Sequence, residues 1–156
     1  MSEAFVMNSP VGKLYIETEG EYLIGLEYHS KRALTTGPVS KTAKKVKKQI
    51  EAYFSSADHN FELPIKLNGT DFQKKVWAAM RKIPAGKACT YGEISDALKS
   101  SPRAVGNACR ANPIPLVVPC HRIVAKSGIG GFGGQTKGRN INCKTWLLKH
   151  EGFYSE

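Results

Sequence analysis

A cysteine and a histidine stand side by side in the run LVVPCHRIVA, at Cys120 and His121. A cysteine thiolate is a strong nucleophile, and an imidazole that accepts the thiol proton lowers the cost of forming it. Successive side chains of an extended chain point to opposite sides, so a turn after Pro119 or a bridging water would have to connect the two groups. Because isolated Cys-His pairs are mostly coincidental, the dipeptide alone favours a buried structural cysteine.

A carboxylate near the C-terminus supplies a candidate third member of this group. The run NCKTWLLKHEG predicts a helix with Asn142 as its N-cap and Gly152 as its terminating residue. Glu151 then lies in the last turn, where the helix dipole disfavours a negative charge. Since residues that break a local preference often mark functional sites, we interpret Glu151 as the group that orients His121. The alternative is an exposed, solvated carboxylate.

The chain of 156 residues carries a net charge of +10, which is concentrated towards its C-terminal end. The net charge is +1 over residues 1–60, +3 over residues 61–100 and +6 over residues 101–156. This gradient predicts a surface on the C-terminal half that faces a polyanion such as nucleic acid. The alternative is a charge surplus that serves only solubility.

The cysteines do not follow the spacing of a metal site. They are Cys89, Cys109, Cys120 and Cys143, with no C-x-x-C pair. We therefore predict four free thiols, no metal and no cofactor. No apolar stretch is long enough to span a bilayer, and the N-terminus lacks the pattern of a secretory signal. We expect no membrane partner and an intracellular location, cytoplasmic or, in a eukaryote, nuclear.

The hydrophobic pattern predicts an α+β fold of two domains, residues 1–67 and 68–156. In the first, EAFVM, KLYIETE and YLIGLEYH predict three strands, and KTAKKVKKQIEAYF predicts an amphipathic helix with a lysine-rich face. That lysine run could bind nucleic acid, although a solvated helix face is the commoner explanation. The second domain is mostly helical, beginning with a helix that Thr70 can cap.

Two short helices in the second domain have the form of a helix-turn-helix. The first starts near Thr90, and the second is PRAVGNACRAN with Ser101 as its N-cap and Pro102 at its first position. The inward face of the second helix would contain Val105, Ala108 and Cys109. Its opposite face would present Arg103, Asn107 and Arg110, with Ala104 and Gly106 beside them. A basic face of little bulk can approach DNA closely, although many such helix pairs are only packing units.

The segment NPIPLVVPCHRIV, residues 112–124, resembles the active-site segment of the O6-alkylguanine-DNA alkyltransferases. The resemblance extends back through Tyr91-Gly92-Glu93 and Arg103-Ala104-Val105-Gly106, and forward to Lys144 and His150-Glu151-Gly152. It covers about residues 68–152, and PCHR with its upstream NPxP is a highly specific signature. It implies a ribonuclease H-like first domain, which matches only in size and element order, and a winged helix-turn-helix-like second domain.

This resemblance implies direct DNA repair by irreversible transfer of an alkyl group to Cys120. The donor would be O6-alkylguanine, and also O4-alkylthymine, in double-stranded DNA, and the protein would be a monomer that acts once. His121 would accept the thiol proton through a water, with Glu151 orienting it. Asn112 would bridge the recognition helix and the active-site strand.

DNA binding by the family implies a minor-groove contact with the damaged base flipped out. Arg103 would enter the duplex in place of that base, and Tyr91 would help to rotate the nucleotide. The other DNA-binding residues would be Thr90, Ala104, Gly106, Asn107 and Arg110. The alkyl pocket would be lined by Pro115, Val118, Ile123, Phe132 and Gly133.

Two departures and two alternatives accompany this resemblance. The segment GFGGQTKGRNINCKTW is longer between its glycines and Lys144 than the family pattern, and Asn107 stands where a smaller residue is expected. The alternatives are a cysteine hydrolase that uses Cys120, His121 and Glu151 and turns over, and a non-catalytic winged-helix DNA-binding module.

Overall fold

The computed structural model describes residues 2–126 and 139–153, with the backbone alone at residues 139–141. Contacts divide the chain into two compact units, residues 1–67 and 68–156. Within the described ranges, every helix is too short or too polar to cross a membrane.

The first unit is built on a three-stranded antiparallel sheet in the order β1-β2-β3. Its strands are β1 (Ser2–Met7), β2 (Leu14–Glu19) and β3 (Tyr22–Glu27). Phe5, Ile16 and Leu26 lie in register across the sheet and are buried, as expected for one apolar face of alternating strands. The three strands are those that the sequence predicts for the first domain.

One long helix, α1 (Lys41–Ser55), completes this unit and contacts β1. Ser40 caps it by accepting a hydrogen bond from the Ala43 N–H. The helix buries one stripe of side chains at helical spacing, namely Ala43, Val46, Ile50 and Tyr53. Its opposite face is polar and exposed.

The second unit opens with α2 (Asp71–Arg81), which Thr70 caps as predicted, in a reciprocal capping box with Gln73. The helix pair is α3 (Tyr91–Ala97) and α4 (Pro102–Arg110), joined by residues 98–101. The indole N–H of Trp77 donates to the Ala108 carbonyl at 2.9 Å and so ties α2 to α4.

The remaining elements surround the PCHR segment. The short strands β4 (Cys89–Thr90) and β5 (Ile123–Val124) pair in parallel, and the last helix is α5 (Arg139–His150). The prediction that Asn142 caps α5 is wrong, because the helix begins at Arg139 and contains Asn142. Asn142 is exposed, and an exposed Asn in the first turn of a helix costs too little to fix the boundary.

Candidate active site

Cys120 stands at the start of a tight turn rather than in an extended strand. Its N–H donates to the Val118 carbonyl at 2.8 Å across Pro119, whose φ of −80° and ψ of 70° are those of an inverse γ-turn. Cys120, His121 and Arg122 then form one turn of 3₁₀ helix, which precedes β5. Successive side chains on such a turn diverge by about 120°, so Cys120 and His121 do not point in opposite directions.

The segment before the turn is held in a strained conformation. Leu116 has a φ of 79°, in the left-handed region that costs a non-glycine residue about 1–2 kcal/mol. Two hydrogen bonds of Asn112 stabilise it: Nδ2 donates to the Val118 carbonyl at 2.8 Å, and Oδ1 accepts from the Ile114 N–H at 3.0 Å. Asn112 follows α4 directly, so its side chain connects the end of that helix to the Cys120 turn.

His121 and Glu151 meet inside the protein. Nε2 of His121 lies 2.7 Å from Oε2 of Glu151, and both side chains are fully buried. The other ring nitrogen, Nδ1, is also buried, and no atom of the described residues forms a hydrogen bond with it. The carboxylate therefore fixes one side of the ring and leaves the second nitrogen for another partner.

Arg122 holds the same carboxylate from a second direction. Its Nε donates to Glu151 Oε1 at 2.8 Å and its Nη2 to Oε2 at 3.0 Å, while Nη1 donates to the Ile83 carbonyl at 2.6 Å. A forked arginine–carboxylate pair fixes the plane of the carboxylate. Sequence reasoning gave Arg122 no role, because a contact across 29 residues leaves no local pattern.

Burial determines the protonation states of the two reactive groups. It raises the pKa of the Cys120 thiol to about 11, against a hydrogen bond from Asn112 and the charge of Lys144, which lower it. Burial also lowers the pKa of His121 below 6.5, against the raising effect of Glu151. At neutral pH the site therefore holds a neutral thiol and a neutral imidazole, which can accept a proton.

A fully buried lysine completes the surroundings of Cys120. Nζ of Lys144 donates to the Ile123 carbonyl at 2.7 Å, and burial lowers its pKa to about 8. The sequence contains a signal for this burial, since Lys144 shares the helical spacing of Leu147 and Leu148, which are also buried. The sequence interpretation assigned it only as part of a family resemblance.

The residues predicted to bind DNA lie where a helix face is accessible. Arg103, Asn107 and Arg110 are exposed on α4, whereas Val105 and Ala108 are buried. The half-buried positions of this helix are Ala104, Gly106 and Cys109. The helix thus presents a basic, small-residue face, as its sequence predicts.

Thr90 and Tyr91 lie beside that helix. Thr90 is the N-cap of α3 and accepts a hydrogen bond from the Glu93 N–H, so its hydroxyl already has a structural partner. Tyr91 is half-buried, and burial raises its pKa to about 12, with further raising effects from Cys109 and Cys120. A Cβ at Gly106 would lie 4.0 Å from the Tyr91 ring, which is an ordinary van der Waals distance, so the ring lies beside α4.

The predicted pocket residues are only partly within the described structure. Pro115 is half-buried, Val118 and Ile123 are fully buried, and Phe132 and Gly133 fall outside the described residues, as does most of the long segment before Lys144. The carbonyl groups of Val118 and Ile123 accept hydrogen bonds from Asn112 and Lys144, respectively.

Among residues 2–126 and 139–153, no cluster of His, Cys, Asp or Glu could hold a metal ion.

Fold and site together define a class: a two-unit α+β protein with a helix pair, whose second helix is basic, and a buried cysteine, histidine and glutamate. Residues 71–153 match the profile of the 6-O-methylguanine DNA methyltransferase DNA-binding domain, and residues 5–67 match that of its ribonuclease-like domain. The chain belongs to the 6-O-methylguanine DNA methyltransferase family. The family resemblance and the fold class predicted from the sequence are both confirmed.

Individual relatives agree with this assignment over nearly the whole chain. The methylated-DNA–protein-cysteine methyltransferase of Metallosphaera sedula is 35% identical over 145 residues, covering 92% of this chain and 89% of the relative. The crystal structure of Mycobacterium tuberculosis O6-methylguanine methyltransferase is 34% identical with a TM-score of 0.83, covering 100% of this chain and 96% of its own. A structure of Mycobacterium tuberculosis OGT in complex with DNA gives 34% identity and a TM-score of 0.78, covering 96% and 92%.

Proposed function

We propose that the chain repairs DNA by transferring an alkyl group from the O6 atom of guanine to Cys120. The observation that carries this proposal is the buried His121–Glu151 pair next to Cys120, in a chain of the 6-O-methylguanine DNA methyltransferase family. The name of the Metallosphaera sedula relative describes the same transfer to a protein cysteine.

The chemistry of the step follows from the protonation states. Sγ of Cys120 forms a bond to the alkyl carbon while the bond from that carbon to O6 breaks, and the electron pair remains on the guanine oxygen. Because the pKa of Cys120 is raised to about 11, the thiol has to lose its proton during the reaction. His121 is neutral and accepts this proton through a water at Nδ1, and guanine takes up a proton as it returns to its keto form.

The product determines how often each molecule acts. A thioether is not hydrolysed under physiological conditions, so an alkylated Cys120 is not regenerated and the protein is consumed. Glu151 keeps the imidazole oriented, and Lys144 favours the developing thiolate through its positive charge. The transfer therefore proceeds once per molecule, and we propose that a monomer performs it.

Access to the base requires that the nucleotide leave the duplex, because O6 of guanine lies on the major-groove edge of the base pair and cannot be reached from the minor groove. We propose that α4 enters the minor groove through its Ala104 and Gly106 face, and that Arg103 fills the space of the extruded base. Filling this space offsets an unstacking cost of about a few kcal/mol. Tyr91 lies at the start of α3 and beside α4. We propose that it assists the rotation of the nucleotide.

The test is the intact mass of the full chain after incubation with duplex DNA that carries one O6-methylguanine. We expect the mass to increase by one methyl group at Cys120, with no increase in Cys120→Ser. Cys143→Ser, which removes another buried thiol, is the matched control and should still gain the methyl group. The same assay with O4-methylthymine tests the second proposed substrate.

Two other outcomes would overturn the proposal. Repeated turnover with an unmodified protein would indicate a cysteine hydrolase. Binding of the duplex without any change in protein or DNA would indicate a DNA-binding module in which the cysteine is incidental.

A further inference from the structure

The first unit has a strongly uneven charge distribution that its net charge conceals. Helix α1 contains five lysines and one glutamate, a net charge of +4. The rest of residues 1–67 contains four basic and seven acidic side chains, a net charge of −3. The unit thus appears nearly neutral in composition while one of its elements is highly basic.

Four of the five lysines of α1 form one face, which we call the lysine face and define as Lys41, Lys44, Lys45 and Lys48. At about 100° per residue these four positions fall within an arc of about 100°, opposite the buried stripe of the helix. All four side chains are exposed. Among the described residues, no carboxylate forms an ion pair with any of them.

This arrangement works against the stability of the helix. Like charges three or four positions apart repel each other, and the lysine face contains four such pairs. They are 41–44, 41–45, 44–48 and 45–48. A solvated helix face needs only polarity, whereas a binding surface for a polyanion needs this accumulation of one sign of charge.

The helix also presents the lysine face rigidly. Ser40 caps its N-terminus and donates to Glu3 Oε1 at 2.7 Å, and Thr42 Oγ1 donates to the Gly20 carbonyl at 2.9 Å. The buried stripe, which includes Ile50 and Tyr53 with no exposed area, fixes the rotation of the helix. A preformed charged surface loses less entropy on binding than a disordered one.

We propose that the lysine face of α1 is a second DNA-binding site, which contacts the phosphate backbone of duplex DNA without reading its sequence. Lys41 and Lys48 are separated by about 10 Å along the helix axis, and duplex DNA carries one charge per about 1.7 Å of its axis, so several phosphates lie within reach. Lysine ammonium groups act as point charges and add affinity rather than base recognition. The site goes beyond the proposed alkyl transfer and does not depend on it.

The test compares two charge-matched triple variants of the full chain. The first, Lys44→Gln/Lys45→Gln/Lys48→Gln, removes three charges of the lysine face. The control, Lys13→Gln/Lys31→Gln/Lys66→Gln, removes three charges elsewhere in the same unit. The affinity of each protein for an undamaged duplex is measured over a range of salt concentrations.

We expect the salt slope of the first variant to become shallower by about 2 to 3, since each lost phosphate contact contributes about 0.9 to the slope. The affinity at low salt should fall at least about tenfold, and the control should retain the parental slope. The melting temperature of the first variant should be equal or higher, because like-charge repulsion is removed.

Equal slope changes in both variants, or no change in either, would overturn the proposal. An unchanged DNA slope together with a lost affinity for poly-glutamate would assign the face to an acidic protein and would also overturn it. Methylation of Cys120 by free O6-methylguanine base, which has no phosphates, should be unaffected in both variants. This readout separates failure of the second site from failure of the proposed alkyl transfer.

Discussion

Arg122 and His121 bind the same carboxylate, so the orientation of the imidazole depends on a second residue that binds Glu151. Glu151 Oε2 contacts both side chains, and the arginine fork fixes the plane of the carboxylate. Arg122 is therefore a positioning residue, which acts on the proton acceptor through Glu151.

Replacing Arg122 by Met should slow the alkylation of Cys120 and destabilise the fold. The change leaves a buried carboxylate with one fewer partner, which typically costs about 3 kcal/mol. The checks are the single-turnover rate with free O6-alkylguanine and the free energy of unfolding. Lys126→Met, which removes an exposed charge nearby, should change neither quantity. A normal rate in Arg122→Met would show that Glu151 is held without the fork.

The rate of alkyl transfer should fall at acidic pH. The pKa of His121 is lowered, so its imidazole stays neutral as the pH falls to 6.5 and takes up a proton only below that value. Once protonated, it cannot accept the thiol proton and the rate should fall. The measurement is the rate with free base as a function of pH, which avoids any effect of pH on DNA binding. A midpoint at or above 6.5 would contradict this role.

The same lowered pKa of His121 should reduce the stability of the fold in acid. An unfolded chain binds a proton at His121 below pH 6.5, whereas the folded chain does so only at lower pH, so the unfolded state binds more protons and is favoured.

The sequence pointed to Cys120 and Glu151 as candidates because one belongs to a specific motif and the other breaks a helix preference. Arg122 acts through a distant contact, and such contacts have no sequence periodicity.

At the scale of the elements, the residue proposed to give access to the base lies on α4, whereas the proposed reaction takes place at Cys120. Arg103 is exposed on α4, and no described contact of it involves Cys120. Replacing Arg103 by Ala should slow repair of O6-methylguanine in duplex DNA by at least about tenfold, the equivalent of about 1.4 kcal/mol of stabilisation, and leave the reaction with free base unchanged. The measurement is the ratio of the two rates. Lys87→Ala, an exposed lysine outside α4, is the control, and equal losses on both substrates would exclude the proposed role.

The turn between α2 and β4 packs against the backbone of Glu151. Gly86 has a φ of 86°, and a Cβ there would lie 3.0 Å from the carbonyl oxygen of Glu151. Gly86→Ala should lower the free energy of unfolding by more than about 1 kcal/mol, which is the cost of the positive φ alone. Gly152→Ala is the matched control, because Gly152 has a φ of 81° but a Cβ there would meet no other atom of the described residues within 4 Å. Equal free energies of unfolding for the two variants would show that the contact with Glu151 is unimportant.

Local signals predicted the starts of several helices and failed at the start of α5. Thr70 and Ser101 cap their helices as expected, because a cap is a hydrogen bond within four residues. Asn142 does not cap α5. The apolar run around Cys120 left open whether a turn follows Pro119 or a water connects Cys120 with His121. In that run the side chain of Asn112 binds the Val118 carbonyl and so stabilises both the strained Leu116 and the turn at Pro119. The conformation therefore depends on contacts beyond the local sequence.

At the scale of the whole molecule, the net charge of +10 should make binding to undamaged DNA dependent on salt and nearly independent of sequence. Phosphate contacts carry no base information, and a protein that searches for lesions has to bind every sequence. Affinities for several unrelated duplexes, measured at two salt concentrations, check this. A strong preference for one undamaged sequence would contradict it.

The charge gradient along the sequence predicted a polyanion-facing surface on the C-terminal half, and it favoured a solvated face for the lysine run of α1. The net charge over residues 1–60 is small because the acidic side chains of the strands offset the positive charges of the α1 lysines. Charge segregation of this kind becomes visible only when each element is considered separately, with its exposed face known.

The burial of Cys120 also determines how long an unused molecule remains competent. Under the proposed function each molecule reacts once, so any encounter with a peroxide or a free alkylating agent would waste it. Cys120 is only 7% exposed and its pKa is about 11, so the reactive thiolate is scarce and shielded from such reagents. The burial that makes the Cys120 thiol depend on His121 for deprotonation thus also protects the unreacted protein from inactivation.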